Sequence, residues 1–285
     1  MKSRSRDLTG KGAGGRAFAV EEMKRQAGVV VSLALVLALP ALAGERPLAD
    51  TADGSYVLPS TANASGMFGA YYKTRVTLLN PNGETLTLLF YLLSPSGPVG
   101  PVSYSVPASS SVTLDNALQD LFSYTGGGGL VIYTDPSAPN HGDLFVVSAQ
   151  VYVEGPNGLY TTPIPAMASG DQIHTPFDTP GESVSLGVQV DAQNRANIAC
   201  ANDASTSTSV VTATLYDGTG AQIWQTTMSL GPGVWQQVPV PVNVERGFIS
   251  WVATGSITYC YAVNVNDTSN DGTLLPPTAT TASSR

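Results

Sequence analysis

Residues 85–93 read TLTLLFYLL and residues 208–216 read TSVVTATLY. In the first stretch Leu86, Leu88, Phe90 and Leu92 fall on one side of a pleated chain, with Thr85, Thr87, Leu89 and Tyr91 on the other. In the second, Val211, Ala213 and Leu215 alternate with Val210, Thr212, Thr214 and Tyr216. The period is two rather than helical, and Thr, Val, Leu and Tyr suit a half-buried pleated surface. Turn-forming clusters punctuate such runs: Asn80-Pro81-Asn82-Gly83, Ser94-Pro95-Ser96-Gly97, Asp217-Gly218-Thr219-Gly220 and Gly231-Pro232-Gly233. Short strands with frequent turns predict an all-β sandwich fold. Only residues 115–122 read as helix, with Asp115 as N-cap ahead of Ala117, Leu118 and Leu121.

An internal repeat organises the chain. Lys73–Pro81 aligns with Arg195–Asp203, which sets Asn80 on Asn202. Gly97 then meets Gly220, and Pro107–Val112 meets Gly231–Trp235. Gly128–Tyr133 meets Arg246–Trp251, and Val151–Pro165 meets Val263–Pro276. Each copy has the size of one immunoglobulin-like sandwich. The boundaries read as an address region at 1–43, an extension at 44–55, a first sandwich at 56–168, a second at 169–277 and a disordered tail at 278–285. Four prolines in residues 163–182 make the join a short, stiff linker that proteases should cut first.

The order of motifs in the second copy, Arg195-x-Asn197, Leu215-Tyr216-Asp217-x-x-Gly220, Leu230-x-Pro232-Gly233-x-Trp235-x-Gln237 and the run from Tyr261 to Pro277, resembles tandem sandwich repeats of secreted bacterial proteins. That family has no established activity, so the resemblance implies fold and export and nothing catalytic. Where its pattern has Pro after the Asn, the first copy has Pro81 but the second has Asp203, which bears on the turn type.

Residues 23–43 carry the address. Lys24 and Arg25 supply a positive start, Ala27–Leu39 an apolar stretch, and Ala41-Leu42-Ala43 a small-residue cleavage site. The apolar run is short for a span and ends at Pro40, so a signal peptide is expected, with no stable membrane span after cleavage. Residues 1–22 are polar and precede a second Met, so the true start is read at Met23. The expected location is secreted, periplasmic or on the cell surface.

With 42% hydrophobic and 12% charged residues, 29 Gly and 20 Pro, the chain is neither a coiled coil nor a disordered polymer. Residues 44–285 hold one Lys, five Arg and 18 Asp plus Glu, a net charge of −12. Six scattered cations make no phosphate-binding face, so nucleic acid is excluded as a partner.

Cys200 and Cys260 are the one candidate site, a structural disulfide in the second copy that the first copy lacks; their approximate counterparts are Leu78 and Ser148. No catalytic, cofactor or metal residues are assigned, and no cofactor is expected. Asp267, Ser269 and Asp271 before Gly272 have the spacing of a cation loop, but position twelve is Thr278 rather than an acid, and turn chemistry accounts for both copies. Gly126–Gly129 lacks the Lys-Ser/Thr of a phosphate cradle and reads as a flexible connection ahead of a strand at Leu130. His141 and His174 read as loop residues.

The resulting expectation is an exported, non-enzymatic structural or adhesive protein that offers loops or sheet edges to a protein or glycan partner. Three alternatives stand beside it. One is a carbohydrate-binding module with Trp224, Trp235, Trp251, Tyr71, Tyr72, Tyr259 and Tyr261 as its platform. Another is a self-associating filament or surface-layer subunit in which residues 44–60 donate a strand. The last is a secreted hydrolase whose residues converge only in space.

Overall fold

The computed structural model describes residues 54–155, 158–168 and 183–279. The signal region, His174 and most of the expected linker lie outside the described residues. In the first half the strands are β1 (Ser55–Ser65), β2 (Tyr71–Asn80), β3 (Leu86–Ser94), β4 (Gly97–Val106), β5 (Ser110–Leu114), β6 (Gly126–Thr134), β7 (Val146–Gly155) and β8 (Gly158–Ile164). The second half adds β9 (Ser183–Val190), β10 (Asn194–Asn202), β11 (Ser209–Tyr216), β12 (Gln222–Leu230), β13 (Trp235–Pro239), β14 (Val244–Thr254), β15 (Thr258–Asn266), β16 (Gly272–Leu275) and β17 (Thr278–Ala279). All paired strands are antiparallel, and the fold is an all-β sandwich.

The two halves share one strand order. In the first half β4-β3-β6-β1 faces β5-β2-β7-β8, and in the second β12-β11-β14-β9 faces β13-β10-β15-β16. Strand β1 shifts register between Leu58 and Thr61, so its first part pairs with β6 and Asn63–Ser65 pair with β2. That bend joins both layers of the first half into one sheet.

The alternating residues fill separate cores. Leu86, Leu88 and Phe90 pack with Leu58, Leu78, Leu130 and Ile132 in the first half. Val211, Ala213 and Leu215 pack with Ile198, Ile249 and Trp251 in the second. Between them lies a third cluster: Val57, Leu93 and Val131 from β1, β3 and β6 meet Ala199, Ala201, Trp235, Tyr259 and Tyr261 from β10, β13 and β15. Both β6 and β10 are therefore covered on both faces, and the described residues of the two halves belong to one compact unit.

Four expectations change. The helix α1 spans Ala117–Phe122 with Asn116, not Asp115, at its N-cap; Asp115 instead accepts from Arg75 Nε at 2.7 Å. Gly126–Gly129 is no flexible connection but the first part of β6. A Cβ on Gly127 would stand 2.9 Å from the Trp235 ring, and one on Gly128 2.6 Å from the Leu93 carbonyl oxygen. Small residues are what let β6 lie this close to Trp235 of the second half and to the neighbouring strand β3. Thr278 and Ala279, expected in the tail, pair with Val184 and Ser183 of β9. Finally, Ser55–Leu58 of the expected donor segment pairs with β6 of the same chain, and Val57 also bridges to Met167, so this part is already built into the chain's own sheet.

Candidate binding surfaces

The sheets end in strands of very different character. β4 carries Pro98 and Pro101, which have no N–H to offer, and its register shifts between Phe90 and Leu92 of β3. β8 contains Pro163 and lies against β16; β13, β16 and β17 are short. β12 differs from all of these. It holds no proline and no charge in QIWQTTMSL, its one irregularity falls between the partners of Leu215 and Tyr216, and beyond that point Trp224–Leu230 runs in regular register. Met228 and Leu230 are buried in the core, while Gln225, Thr227 and Ser229 point to solvent. Among the described residues only β11 pairs with it, so one row of its backbone N–H and C=O groups faces outward.

A cleft of about 540 Å³ lies where the halves meet, within the size range of small-ligand sites. Its walls include Ala62, Ile164, Trp235, Pro239, Val263 and Leu274. At one end Arg195 is ion-paired with Asp267 and donates from Nη2 to the Tyr72 hydroxyl and to Asn270 Oδ1, each at 3.2 Å. Burial raises the Tyr72 phenol above its ordinary range, and the Arg195 guanidinium pulls it partly back. Beside the cleft the connection from β1 to β2 exposes Met67 and Phe68; Phe68 sits at φ 57°, and the Arg195 guanidinium lies 6.0 Å from its ring. The guanidinium is already engaged on three sides, so the cleft offers apolar surface more than a free charge.

The residues singled out in the sequence fall as follows. Cys200 and Cys260 are directly opposite on β10 and β15, with Cα atoms 4.1 Å apart, and form a disulfide inside the second core. Both therefore face inward, Cys200 with Ile198 and Cys260 with Ala262. The residue opposite Leu78 is Val147, so the first-half counterpart of Cys260 is Val147 rather than Ser148. Within Asn264–Gly272, residues 267–271 form the turn between β15 and β16: Asn266 Oδ1 accepts from the backbone of Thr268 and Ser269, and Asn270 takes a left-handed φ of 59°. His141 is exposed in the loop after β6.

The aromatic platform does not form. Trp251 is fully buried and donates from Nε1 to Ser185 Oγ at 2.9 Å, Trp235 donates to the Pro59 carbonyl at 3.1 Å, and Tyr259 and Tyr261 are buried between the halves. Trp224 packs on the second core, and of the set only Tyr71 is exposed, at 42%. Sequence alternation missed a different aromatic pair. Tyr91 and Tyr133 stack 5.8 Å apart at 9°, because Tyr133 lies opposite Leu89 and so diagonal to Tyr91 on one face.

No protein-family profile matches this chain. No curated protein matches it either. Similar solved structures include beta-glucuronidase 2 of Bacteroides uniformis, at 14% identity over 80% of this chain and 26% of that one with a TM-score of 0.18. Another is the apo lectin of Pleurotus ostreatus, at 11% identity over 81% and 82% of the two chains with a TM-score of 0.15. The chain spans about a quarter of the length of the glucuronidases it matches. Likenesses this remote say nothing of ligand or activity.

Proposed function

We propose that this is an exported, non-enzymatic structural or adhesive protein that associates by adding a strand at β12. The observation that carries the reading is the contrast between equivalent edges. β4 is blunted by two prolines and a register shift, whereas the same position in the second half is a proline-free, uncharged strand. Open edges of this kind template pairing with another chain unless they are protected. The occupant that fits is a second copy of β12. An antiparallel pair about a two-fold axis sets Gln, Thr, Ser and Trp side chains against one another, without like charges opposed, in a chain whose exported part carries −12. The disulfide and the leader features of residues 23–43 support an oxidising destination.

Light scattering after size exclusion, on residues 44–285 over a wide concentration range, tests this. The expected result is a reversible dimer that Gln225→Lys/Thr227→Lys converts to monomer with its melting temperature kept, since both side chains are exposed. A parent protein that stays monomeric throughout, or a dimer that ignores the two lysines, overturns it.

A further inference from the structure

The one departure from the repeat pattern that the proposed function leaves unused is Asp203, which stands where the first half has the exposed Pro81. Directly after β10, its backbone N–H donates to the Ile257 carbonyl at 3.1 Å, which fixes the residue at the boundary between the halves. Two hollows of about 350 and about 390 Å³ meet there, sharing Val131, Tyr133 and Asp203. Pro98 and Pro232 wall the first, which also holds Tyr91; Pro136 and His141 wall the second. The Asp203 carboxyl is half-buried, and among the described residues no Lys or Arg is ion-paired with it.

We propose that this crevice binds a small organic ammonium group, with Asp203 as counter-charge and the Tyr91–Tyr133 pair as its aromatic wall. The chemistry selects the ligand class by elimination. An anion would meet Asp203 and, beside Tyr133, Asp135. A calcium-like ion needs six to eight oxygens, and one carboxylate with two phenols falls short. A neutral ligand would leave the withdrawn carboxylate without a partner. A substituted ammonium satisfies both features at once, since tyrosine faces attract a poorly hydrated cation and the carboxylate neutralises it.

The ionisable groups facing the crevice are Tyr91 on β3, Tyr133 on β6, Asp135 just after β6, His141 in the loop that follows, and Asp203 itself. Burial pushes the Asp203 carboxyl up to about 6, so its negative charge is complete only above that pH. Affinity should therefore rise as pH is raised through 6.

Isothermal titration of the exported chain with three probes tests the site: choline, N-acetyl-lysine methylamide, and the uncharged choline isostere 3,3-dimethylbutan-1-ol. At pH 8 one or both cations should bind at least about tenfold more tightly than the alcohol, the preference falling by a similar factor at pH 5. Tighter binding of choline marks a quaternary headgroup as the source, and tighter binding of the lysine derivative marks a protein side chain. Asp203→Asn keeps shape and removes charge, so it should abolish the preference; Tyr91→Leu should weaken both cations. Equal binding of alcohol and cations, no binding of either cation, or full affinity in Asp203→Asn overturns the assignment.

Discussion

Asn80 and Asn202 perform one task in two places. Each is fully buried at the end of its strand. Asn202 Nδ2 lies 2.8 Å from the Ser207 carbonyl oxygen and 3.0 Å from those of Leu230 and Gly231, while its Oδ1 accepts from the backbone of Ala204. Asn80 makes the matching set with Glu84, Val106, Pro107 and Asn82. The side chain stands in for missing backbone partners where the chain leaves the sheet. Removing it strands several buried groups, so Asn202→Ala is expected to cost about 3 kcal/mol in a urea titration. A loss within experimental error would mean that water replaces the amide. Asp203, one residue on, works against stability at neutral pH. Its carboxyl is shifted from 3.8 to about 6, so between those values the folded chain keeps a proton that the unfolded chain has lost. Stability from this group is complete below about pH 4 and falls as pH rises through 6. Asp203→Asn should therefore be more stable than the parent at pH 8, by on the order of 2–3 kcal/mol, with the gap closing near pH 4. Parallel denaturation curves at both pH values would show that the carboxyl titrates as an ordinary surface group.

Among the elements, β6 shows where sequence reasoning succeeds and where it stops. Leu130–Tyr133 alternates legibly, and Leu130 and Ile132 do enter the first core. The four glycines before it look like a loop, because a residue without a side chain carries no periodicity. What holds them in a strand is tertiary: β1 pairs along them, and Trp235, 108 positions after Gly127, rests against that glycine. Gly127→Val drives a branched side chain into that ring and is expected to cost about 2 kcal/mol, whereas Gly83→Val, with open space around its Cβ, should change stability little. Equal effects at the two sites would remove the packing argument. The cysteines mark a second limit. Their types and the repeat placed them on strands, but the alignment slipped by one residue at β7, and with a period of two that slip exchanges the faces of the sheet. The true partner of Leu78 faces inward as Cys260 does, which is the geometry a cross-strand bond requires. The helix cap was misplaced by the same margin because Asp115 had a competing partner in Arg75, which no local rule reveals.

For the molecule as a whole the question is whether two sandwiches unfold as one. Each has its own apolar core, and the chain-entropy value of closing the loop between Cys200 and Cys260, 60 positions apart, is about 4 kcal/mol in favour of the second half alone. Left independent, the halves would melt separately. Against this stands the cluster between them, in which Trp235, Tyr259 and Tyr261 are almost completely removed from water against Val57, Leu93 and Val131. Aromatic side chains of this size contribute about 3 kcal/mol or more each when fully packed, enough to couple two sandwiches of marginal individual stability. Calorimetry on the exported chain is therefore expected to give one cooperative transition. Trp235→Ala opens a cavity at the boundary while leaving Trp251 in its core, so it should split that transition in two, with the first half melting first because the disulfide supports only the second. Reduction should then lower the upper transition and leave the lower one in place. Two separate transitions in the unaltered protein would refute the coupling, and β12 would then belong to an independently melting domain rather than to one cooperative unit.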